Sequence, residues 1–90
     1  MRRAAKVDAN HSIIVATLRQ VGASVQDLAK VGQGCPDILV GYRGVNYLME
    51  IKVSKGKATT HQVTWHSEWR GQVSVVRSPD DALTVIGAVS

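Results

Sequence analysis

The spacing of apolar residues along the 90-residue chain changes from a helical to a strand period and back. Between Ala9 and Val21 apolar side chains recur at helical spacing, which predicts a helix ended by Gly22 and capped at its start by Asp8 or Asn10. The other predicted elements are, in order, a weak strand at 24–28, a loop at 30–35, a strand at 38–42, a turn at 43–44, a strand at 47–53, a basic loop at 54–58, a helix at 59–70, a strand at 73–76 and a last helix from Ser78.

The segment 38–53 has the pattern of a β-hairpin. Its first strand is short, apolar and β-branched, and Arg43-Gly44 makes the turn. In the second strand the side chains alternate between two faces, so that Glu50 and Lys52 point the same way. One face carries Tyr47, Met49, Ile51 and Val53, and the other carries Leu48, Glu50 and Lys52.

The second half of the chain predicts a crossover and a final helix. The helix at 59–70 separates the hairpin from the strand at 73–76, and a helical crossover is typical of parallel pairing. The run Ser78-Pro79-Asp80-Asp81 has the hydroxyl cap, the first-turn proline and the acidic residues of a helix start, and Leu83 and Ile86 would dock that helix. We therefore expect an α/β fold with the order α-β-β-β-α-β-α, in which a small mixed sheet is flanked by helices in a single domain over residues 1–90.

Composition narrows the class of protein only slightly. The formal charge of +4 favours an anionic partner, and the absence of Phe leaves Ile, Leu, Val and the two Trp residues to fill the core. Cys35 is the single cysteine, which excludes an internal disulfide and fits a reducing cytosol. No apolar run approaches the roughly 18 residues of a membrane span, and the polar N-terminus is not that of a secreted protein.

Three charged side chains are predicted to converge at one edge of the sheet. Asp37 begins the first strand of the hairpin, and Glu50 and Lys52 share a face of the second. Unpaired charges are rarely buried, so this group is not typical of core packing. Two carboxylates and an amine are suited to phosphodiester hydrolysis, since the carboxylates can hold a hard divalent cation and the amine can stabilise the phosphate.

With these elements placed, the chain resembles the PD-(D/E)XK nucleases, and more narrowly the small stand-alone VRR-NUC proteins of phages and prophages. The residues that carry the resemblance are Val31-Gly32-Gln33-Gly34-Cys35-Pro36-Asp37, Tyr47-Leu48-Met49-Glu50-Ile51-Lys52, His61-Gln62 to Trp65, and Trp69-Arg70-Gly71-Gln72-Val73. The likeness covers nearly the whole chain and implies the restriction-endonuclease-like αβββαβ core.

The resemblance also implies an activity and a set of site residues. Asp37 and Glu50 would hold Mg²⁺ or Mn²⁺ together with the carbonyl of Ile51, Lys52 would act on the water or the phosphate, and Gln62 would orient Lys52 or the DNA. The implied function is a metal-dependent endonuclease acting on DNA that carries a flap or a four-way junction, as Holliday junction resolvases do. The implied setting is the cytoplasm of a bacterial host, with phage replication or repair proteins as further partners.

One position departs from the family pattern. Related nucleases often carry a Glu on the first helix that completes the metal site, and here Asn10 stands about where that Glu would, next to His11 as a second auxiliary candidate. An amide can hydrogen-bond a water but supplies no charge. The alternatives are therefore a weak or inactive DNA-binding module of the same fold, or an accessory protein that docks on a helicase or terminase.

Other residues admit two interpretations. Gln62 completes a Thr59-x-x-Gln62 capping box, which can coexist with a role in the site. His61 and His66 diverge on a helix and do not suggest a metal pair, and Trp65 and Trp69, one turn apart, are more typical of core packing than of base stacking. The candidate DNA-contacting residues are Arg3, Lys6, Arg43, Lys55 and Lys57.

A homodimer is also expected, because a domain of this size offers one active site and a thin core. The apolar surfaces proposed for the dimer contact are the hairpin around 42–47 and the end of the last helix, Val85-Ile86-Gly87-Ala88-Val89.

Overall fold

The structure is a computed structural model and describes residues 9–53 and 57–88. Within these ranges the elements are α1 (Ala9–Gln20), β1 (Ser24–Asp27), β2 (Ile38–Tyr42), β3 (Val45–Ile51), α2 (Thr60–Glu68), β4 (Ser74–Val76) and α3 (Pro79–Ile86). The predicted α-β-β-β-α-β-α order is confirmed, with element boundaries displaced by a few residues.

The described strands form one mixed sheet in the order β1-β2-β3-β4. β2 pairs antiparallel with β1 and β3, whereas β4 pairs parallel with β3. The hairpin turns at Arg43 and Gly44, whose φ angles of 51° and 81° are the left-handed values that a two-residue turn requires. The parallel pair needs a crossover, and α2 supplies it. Because of these directions, the start of β2 and the ends of β3 and β4 meet at the same edge of the sheet.

One face of the sheet, here called the core face, packs against α1 and α3. Each apolar side chain that it buries contributes about 1.5–3 kcal/mol to stability. The predicted docking of the last helix is confirmed, because Ile86 is buried and Leu83 packs against the core. The buried core consists of Ile14, Leu18, Ala23, Ile38, Val40, Met49, Ile51, Val76, Ala82 and Ile86.

The opposite face of the sheet carries Leu39, Leu48, Glu50 and Val75, and α2 lies over part of it. The two ends of α2 are set by local hydrogen bonds. Thr59 and Gln62 form the predicted capping box, and the N–H of Trp69 bonds to the carbonyl of Trp65 at the other end. α2 itself contributes no buried residue, so its position depends on a few polar contacts.

The last helix begins as its sequence predicts. The Ser78 hydroxyl accepts the N–H of Asp81, Pro79 occupies the first turn, and Gly87 ends the helix in the left-handed conformation.

Three expectations about packing and caps are wrong. The tryptophans do not fill the core: Trp69 is 45% exposed, and its ring stacks on Trp65 at a centroid distance of 4.5 Å, because α2 lies outside the core face. The last helix does not present an exposed apolar surface, since Ile86 is turned into the core. Asn10 is not an N-cap but lies within α1, and Asp8, like Val89, falls outside the described residues.

Candidate active site

The hairpin brings the two predicted carboxylates together. Asp37 directly precedes β2, and continuing the β2–β3 register by one residue places it across from Glu50. The Asp37 N–H donates to the carbonyl of Met49 at 3.0 Å, and the Ile51 N–H donates to Asp37 Oδ2 at 2.7 Å. These two bonds fix the Asp37 carboxylate at the end of β3, beside the Glu50 side chain.

Glu50 is buried to an unusual degree for a carboxylate. Its side chain is only 2% exposed, and Oε2 accepts a hydrogen bond from Gln62 Nε2 at 2.8 Å. Lys52 Nζ lies 3.8 Å from the same oxygen. The other oxygen, Oε1, is buried and has no hydrogen-bond partner among the described residues. Glu50 therefore presents one satisfied and one unsatisfied oxygen.

The pKa of Glu50 is raised from 4.5 to about 8, chiefly by burial of its carboxyl group. The neighbouring Asp37 carboxyl contributes to this increase, while the positive charge of Lys52 acts in the opposite direction. Two carboxyl groups this close in a desolvated site favour sharing a proton unless a cation is present to offset their charge.

Gln62 ties the helix to the charged residues. Its Oε1 accepts a hydrogen bond from Lys52 Nζ at 2.6 Å and a second from the Thr59 N–H at 2.9 Å, while its Nε2 donates to Glu50. One side chain thus forms the helix cap and contacts the predicted site residues Glu50 and Lys52 at the same time. The Lys52 side chain, 15% exposed, is held in place by this contact.

The oxygen atoms at this edge of the sheet fit a hard divalent cation that is bound by few protein ligands and several waters. Asp37 and Glu50 supply carboxylate oxygens at the sheet edge, and the unpartnered Glu50 Oε1 is an acceptor that a cation would satisfy. Ile51 joins them through its main chain, whose N–H binds Asp37. Within residues 9–53 and 57–88, no three His, Cys, Asp or Glu side chains cluster in a way that could hold a metal ion. The main chain and solvent would therefore have to complete any coordination shell.

The two auxiliary candidates on α1 are separated by the structure. Asn10 Nδ2 donates to the carbonyls of Lys52 at 3.1 Å and Arg77 at 3.2 Å, so Asn10 links α1 to the ends of β3 and β4 beside the site. His11 Nε2 instead lies 3.8 Å from Asp27 Oδ2, at a different cavity of about 280 Å³. The structure thus places Asn10 next to Lys52 and places His11 against β1.

The candidate DNA-contacting residues lie at different ends of the sheet. Lys57 is exposed and directly precedes Ala58, which lines a cavity together with Glu50 and Lys52. Arg43 is in the hairpin turn, about 20 Å along β2 from Asp37, and its guanidinium lies 5.1 Å from the centroid of the Tyr42 ring. Arg3, Lys6 and Lys55 fall outside the described residues.

His66 is a further candidate site residue, which the sequence analysis did not identify. It lies one turn after Gln62 on the same face of α2, and its Nε2 is 3.9 Å from Glu50 Oε1. A cavity of about 260 Å³ is lined by Glu50, Lys52, Gln62 and His66, among others. The Gln62-x-x-x-His66 spacing was the signal, since a residue four positions after a predicted site residue on a helix faces the same way.

The loop before Asp37 fixes the approach of α2. Gly32, Gln33 and Gly34 all have positive φ angles, and a side chain at Gly34 would overlap the carbonyl of His61 in the first turn of α2. Cys35 follows, and burial raises the pKa of its thiol, with further contributions from the charges of Glu50 and Asp37. The thiol is therefore kept protonated, which argues against a nucleophilic role.

Comparison with solved structures finds a chain of the same fold, described as a VRR_NUC domain. The two chains are 28% identical and superpose with a TM-score of 0.69, over 89% of this chain and 92% of the other. No protein-family model matches the sequence, and no curated protein matches it. The similarity therefore extends over nearly the full length of both chains.

Proposed function

We propose that this chain, a VRR-NUC domain by its fold and by its similarity to a solved structure, is a divalent-metal-dependent endonuclease that hydrolyses phosphodiester bonds in DNA. At the coarser level it is a nuclease-type, DNA-processing domain. The observation that carries the proposal is the hydrogen-bonded group of Glu50, Gln62 and Lys52 beside Asp37 at one sheet edge. A buried charged group of this kind is costly to a small fold and is typical of active sites.

Asp37 and Glu50 are the proposed ligands of Mg²⁺ or Mn²⁺, with the carbonyl of Ile51 as a third. Such a cation activates a water as nucleophile and offsets negative charge on the phosphate. The unpartnered oxygen of Glu50 and the closeness of the two carboxyl groups support this assignment, because a cation would remove the repulsion between them. The Ile51 N–H keeps the Asp37 carboxylate oriented toward Glu50.

Lys52 and Gln62 are the proposed catalytic partners of the two carboxylates. The Lys52 ammonium is positioned by Gln62 Oε1, so its charge is fixed before any substrate arrives. A preorganised positive charge next to the scissile phosphate stabilises the additional negative charge of the transition state. Gln62 acts by positioning this amine and one oxygen of Glu50 at the same time.

The proposed substrate is structured DNA, either a flap or a four-way junction. The exposed Lys57 beside the site would contact phosphates, together with Lys55, Arg3 and Lys6. Arg43 would contact DNA only if the duplex ran along the hairpin to its far end, because the turn is distant from Asp37.

A homodimer would place two such sites on opposite strands of one DNA molecule. Of the surfaces expected to form the dimer, the hairpin retains an exposed apolar residue, Val45 at 49%, while the last helix packs into the core. The hairpin is therefore the proposed contact. A monomer mass by light scattering at micromolar concentration, with junction cleavage intact, would argue against the dimer.

A second candidate function is favoured by Asn10. Its amide is directed at the carbonyls of Lys52 and Arg77 and brings no negative charge to the site. A site with two carboxylates among the described residues could bind DNA in the same cleft and cleave it slowly or not at all. This alternative predicts binding of the same substrates without turnover.

The test is an incubation of labelled duplex, flap and four-way junction DNA with the protein and Mg²⁺, Mn²⁺ or EDTA, alongside Glu50→Gln as the matched control. Cleavage that requires the cation and disappears in Glu50→Gln supports the nuclease. Binding without cleavage in any cation supports the DNA-binding module. Neither binding nor cleavage would leave only a structural or accessory role.

A further inference from the structure

Two buried polar atoms, one from Glu50 on the sheet and one from His66 in the last turn of α2, lie near each other without a hydrogen-bond partner among the described residues. Glu50 Oε1 and His66 Nε2 are both buried and make no hydrogen bond among the described residues. They lie 3.9 Å apart. Gln62 and Lys52 both contact the other oxygen of Glu50, Oε2, so neither of them satisfies Oε1 or the imidazole.

The separation of these two atoms is informative. A direct hydrogen bond between nitrogen and oxygen spans about 2.7–3.2 Å, which is shorter than the gap. Two ligands about 2.1 Å from one cation are about 3.0 Å apart at a right angle and about 4.2 Å apart on opposite sides of it. The gap between Glu50 Oε1 and His66 Nε2 therefore exceeds a hydrogen bond and fits within the span of two ligands on one cation.

The imidazole is held in this position by its neighbours. His66 lies one turn after Gln62, whose hydrogen bonds to Glu50 and Lys52 fix the rotation of α2 over the sheet. The Trp65 ring meets the His66 ring edge-on, with centroids 5.9 Å apart and planes at 69°. The nitrogen is thus directed at the carboxylate before any ligand binds.

We propose that Glu50 Oε1 and His66 Nε2 form a nitrogen-containing cation position that takes a first-row transition cation such as Mn²⁺ in preference to Mg²⁺. Imidazole is a ligand for transition metals, whereas Mg²⁺ selects oxygen ligands and retains its waters. The inference rests on the proposed function, because Glu50 is also a proposed ligand of the catalytic cation, and the cavity that His66 lines is lined by Lys52 as well. It adds a ligand from α2 to a site otherwise built from the sheet.

The experiment measures Mn²⁺ and Mg²⁺ binding to the metal-free full chain by calorimetry, and nitrogen coupling to bound Mn²⁺ by pulsed electron paramagnetic resonance. The variants are His66→Ala and His66→Gln, with His61→Ala as the control, since His61 is an exposed histidine on the same helix. The wild type and His61→Ala should show nitrogen coupling. Both His66 variants should lose it and bind Mn²⁺ at least about tenfold more weakly, with Mg²⁺ affinity unchanged.

The outcomes separate this inference from the proposed function. Mn²⁺ bound by the wild type without nitrogen coupling, or with equal affinity in the His66 variants, overturns the inference while metal-dependent cleavage can still stand. Nitrogen coupling that depends on His66 in a protein that cleaves no DNA supports the inference and overturns the nuclease. No Mn²⁺ binding by the wild type overturns the inference, and the cleavage assay then decides the nuclease separately. The Gln variant guards against a folding defect in the Ala variant, and circular dichroism checks both.

Discussion

The two faces of the sheet are buried to a similar extent at the end of β3, for opposite physical reasons. Met49 and Ile51 turn to the core face and are 0% and 7% exposed, while Glu50 between them turns to the opposite face and is 2% exposed. Burial of the apolar pair stabilises the fold. Burial of the carboxylate opposes folding, and it persists because Gln62, Lys52 and the docking of α2 hold it.

This difference shows how one strand can serve stability and chemistry at once. Alternation along β3 sends each successive side chain to the other face, so the residues that anchor the core and those that build the site are sequence neighbours. The core face is covered by two helices with buried residues. The opposite face is covered by α2, which has none. Substitutions on the two faces should therefore separate activity from stability.

The largest expected effects are a loss of cleavage without unfolding in variants of the carboxylates and a loss of stability without a change in cleavage in a variant of the core. Asp37→Ala and Glu50→Ala should each abolish metal-dependent DNA cleavage while circular dichroism shows a retained fold, because one remaining carboxylate holds a hard cation poorly. Met49→Ala should lower the free energy of unfolding by about 2–5 kcal/mol and leave the cleavage rate per folded molecule unchanged. Cleavage at the wild-type rate by either carboxylate variant would refute the assignment of the site.

The next effect separates the amine from the cation ligands. Lys52→Ala should reduce cleavage by about 10²–10³-fold, because a preorganised charge next to the phosphate is lost. Calorimetry should still detect Mg²⁺ or Mn²⁺ binding, since Asp37 and Glu50 remain. Lys30→Ala is the control, an exposed lysine to which no role in the site is assigned. Equal rates in the Lys52 and Lys30 variants would contradict the proposed role.

A smaller effect tests whether α2 must be docked tightly for the site to work. Gly34→Ala and Gly32→Ala both place a side chain at positive φ, but only the one at Gly34 meets α2, at the carbonyl of His61. We expect both to lose similar backbone stability, about 1–2 kcal/mol. Gly34→Ala should in addition lower cleavage about tenfold or more, since small displacements of positioning groups are costly. Equal cleavage by the two variants would show that the position of α2 is not critical.

The pH dependence of stability should reveal the buried carboxylate without any substrate. The pKa of Glu50 is raised from 4.5 to about 8 in the folded protein, so the folded state binds more protons than the unfolded state between these values. The metal-free protein should therefore lose stability as pH rises from about 4.5 to about 8. Urea unfolding of Glu50→Gln should show a smaller decrease over the same range, and an equal decrease in both proteins would assign the effect to other groups.

The smallest effect compares the two ends of the sheet in DNA binding. Lys57→Ala should lower the slope of log affinity against log salt by about 0.9, the change expected for one phosphate contact. Arg43→Ala, at the far end of the hairpin, should leave that slope unchanged if DNA is confined to the edge that holds Asp37. A change in the Arg43 variant alone would place the DNA along the hairpin instead.

The backbone of the site was predictable from sequence, because it depends on local patterns. Alternation placed Glu50 and Lys52 on one face, the apolar run placed Asp37 at its start, and the capping box placed Gln62 at a helix start. The hydrogen bond that Gln62 donates to Glu50 and the one that it accepts from Lys52 then follow from the crossover that lays α2 over the sheet.

The expectation that the two tryptophans of α2 pack in the core was wrong. Trp65 and Trp69 have the spacing of a packed helix face, but stacking on each other satisfies much of their apolar surface without a core contact. His66 could not be identified for a related reason, since its proximity to Glu50 depends on the rotation of α2 over the sheet. Sequence periodicity gives the faces of a helix and does not tell which face meets the sheet.

Gln62 forms hydrogen bonds both with the start of α2 and with the charged residues of the sheet, and this limits which residues can replace it in evolution. A Glu at this position could accept the Thr59 N–H and the Lys52 amine, but it would bring a third carboxylate against Glu50. An Asn is one methylene shorter and would have to give up either the helix start or the sheet. A side chain without an acceptor would free Lys52. Substitution of this one amide therefore has no neutral intermediate step, and the helix and the charged group are constrained to change together.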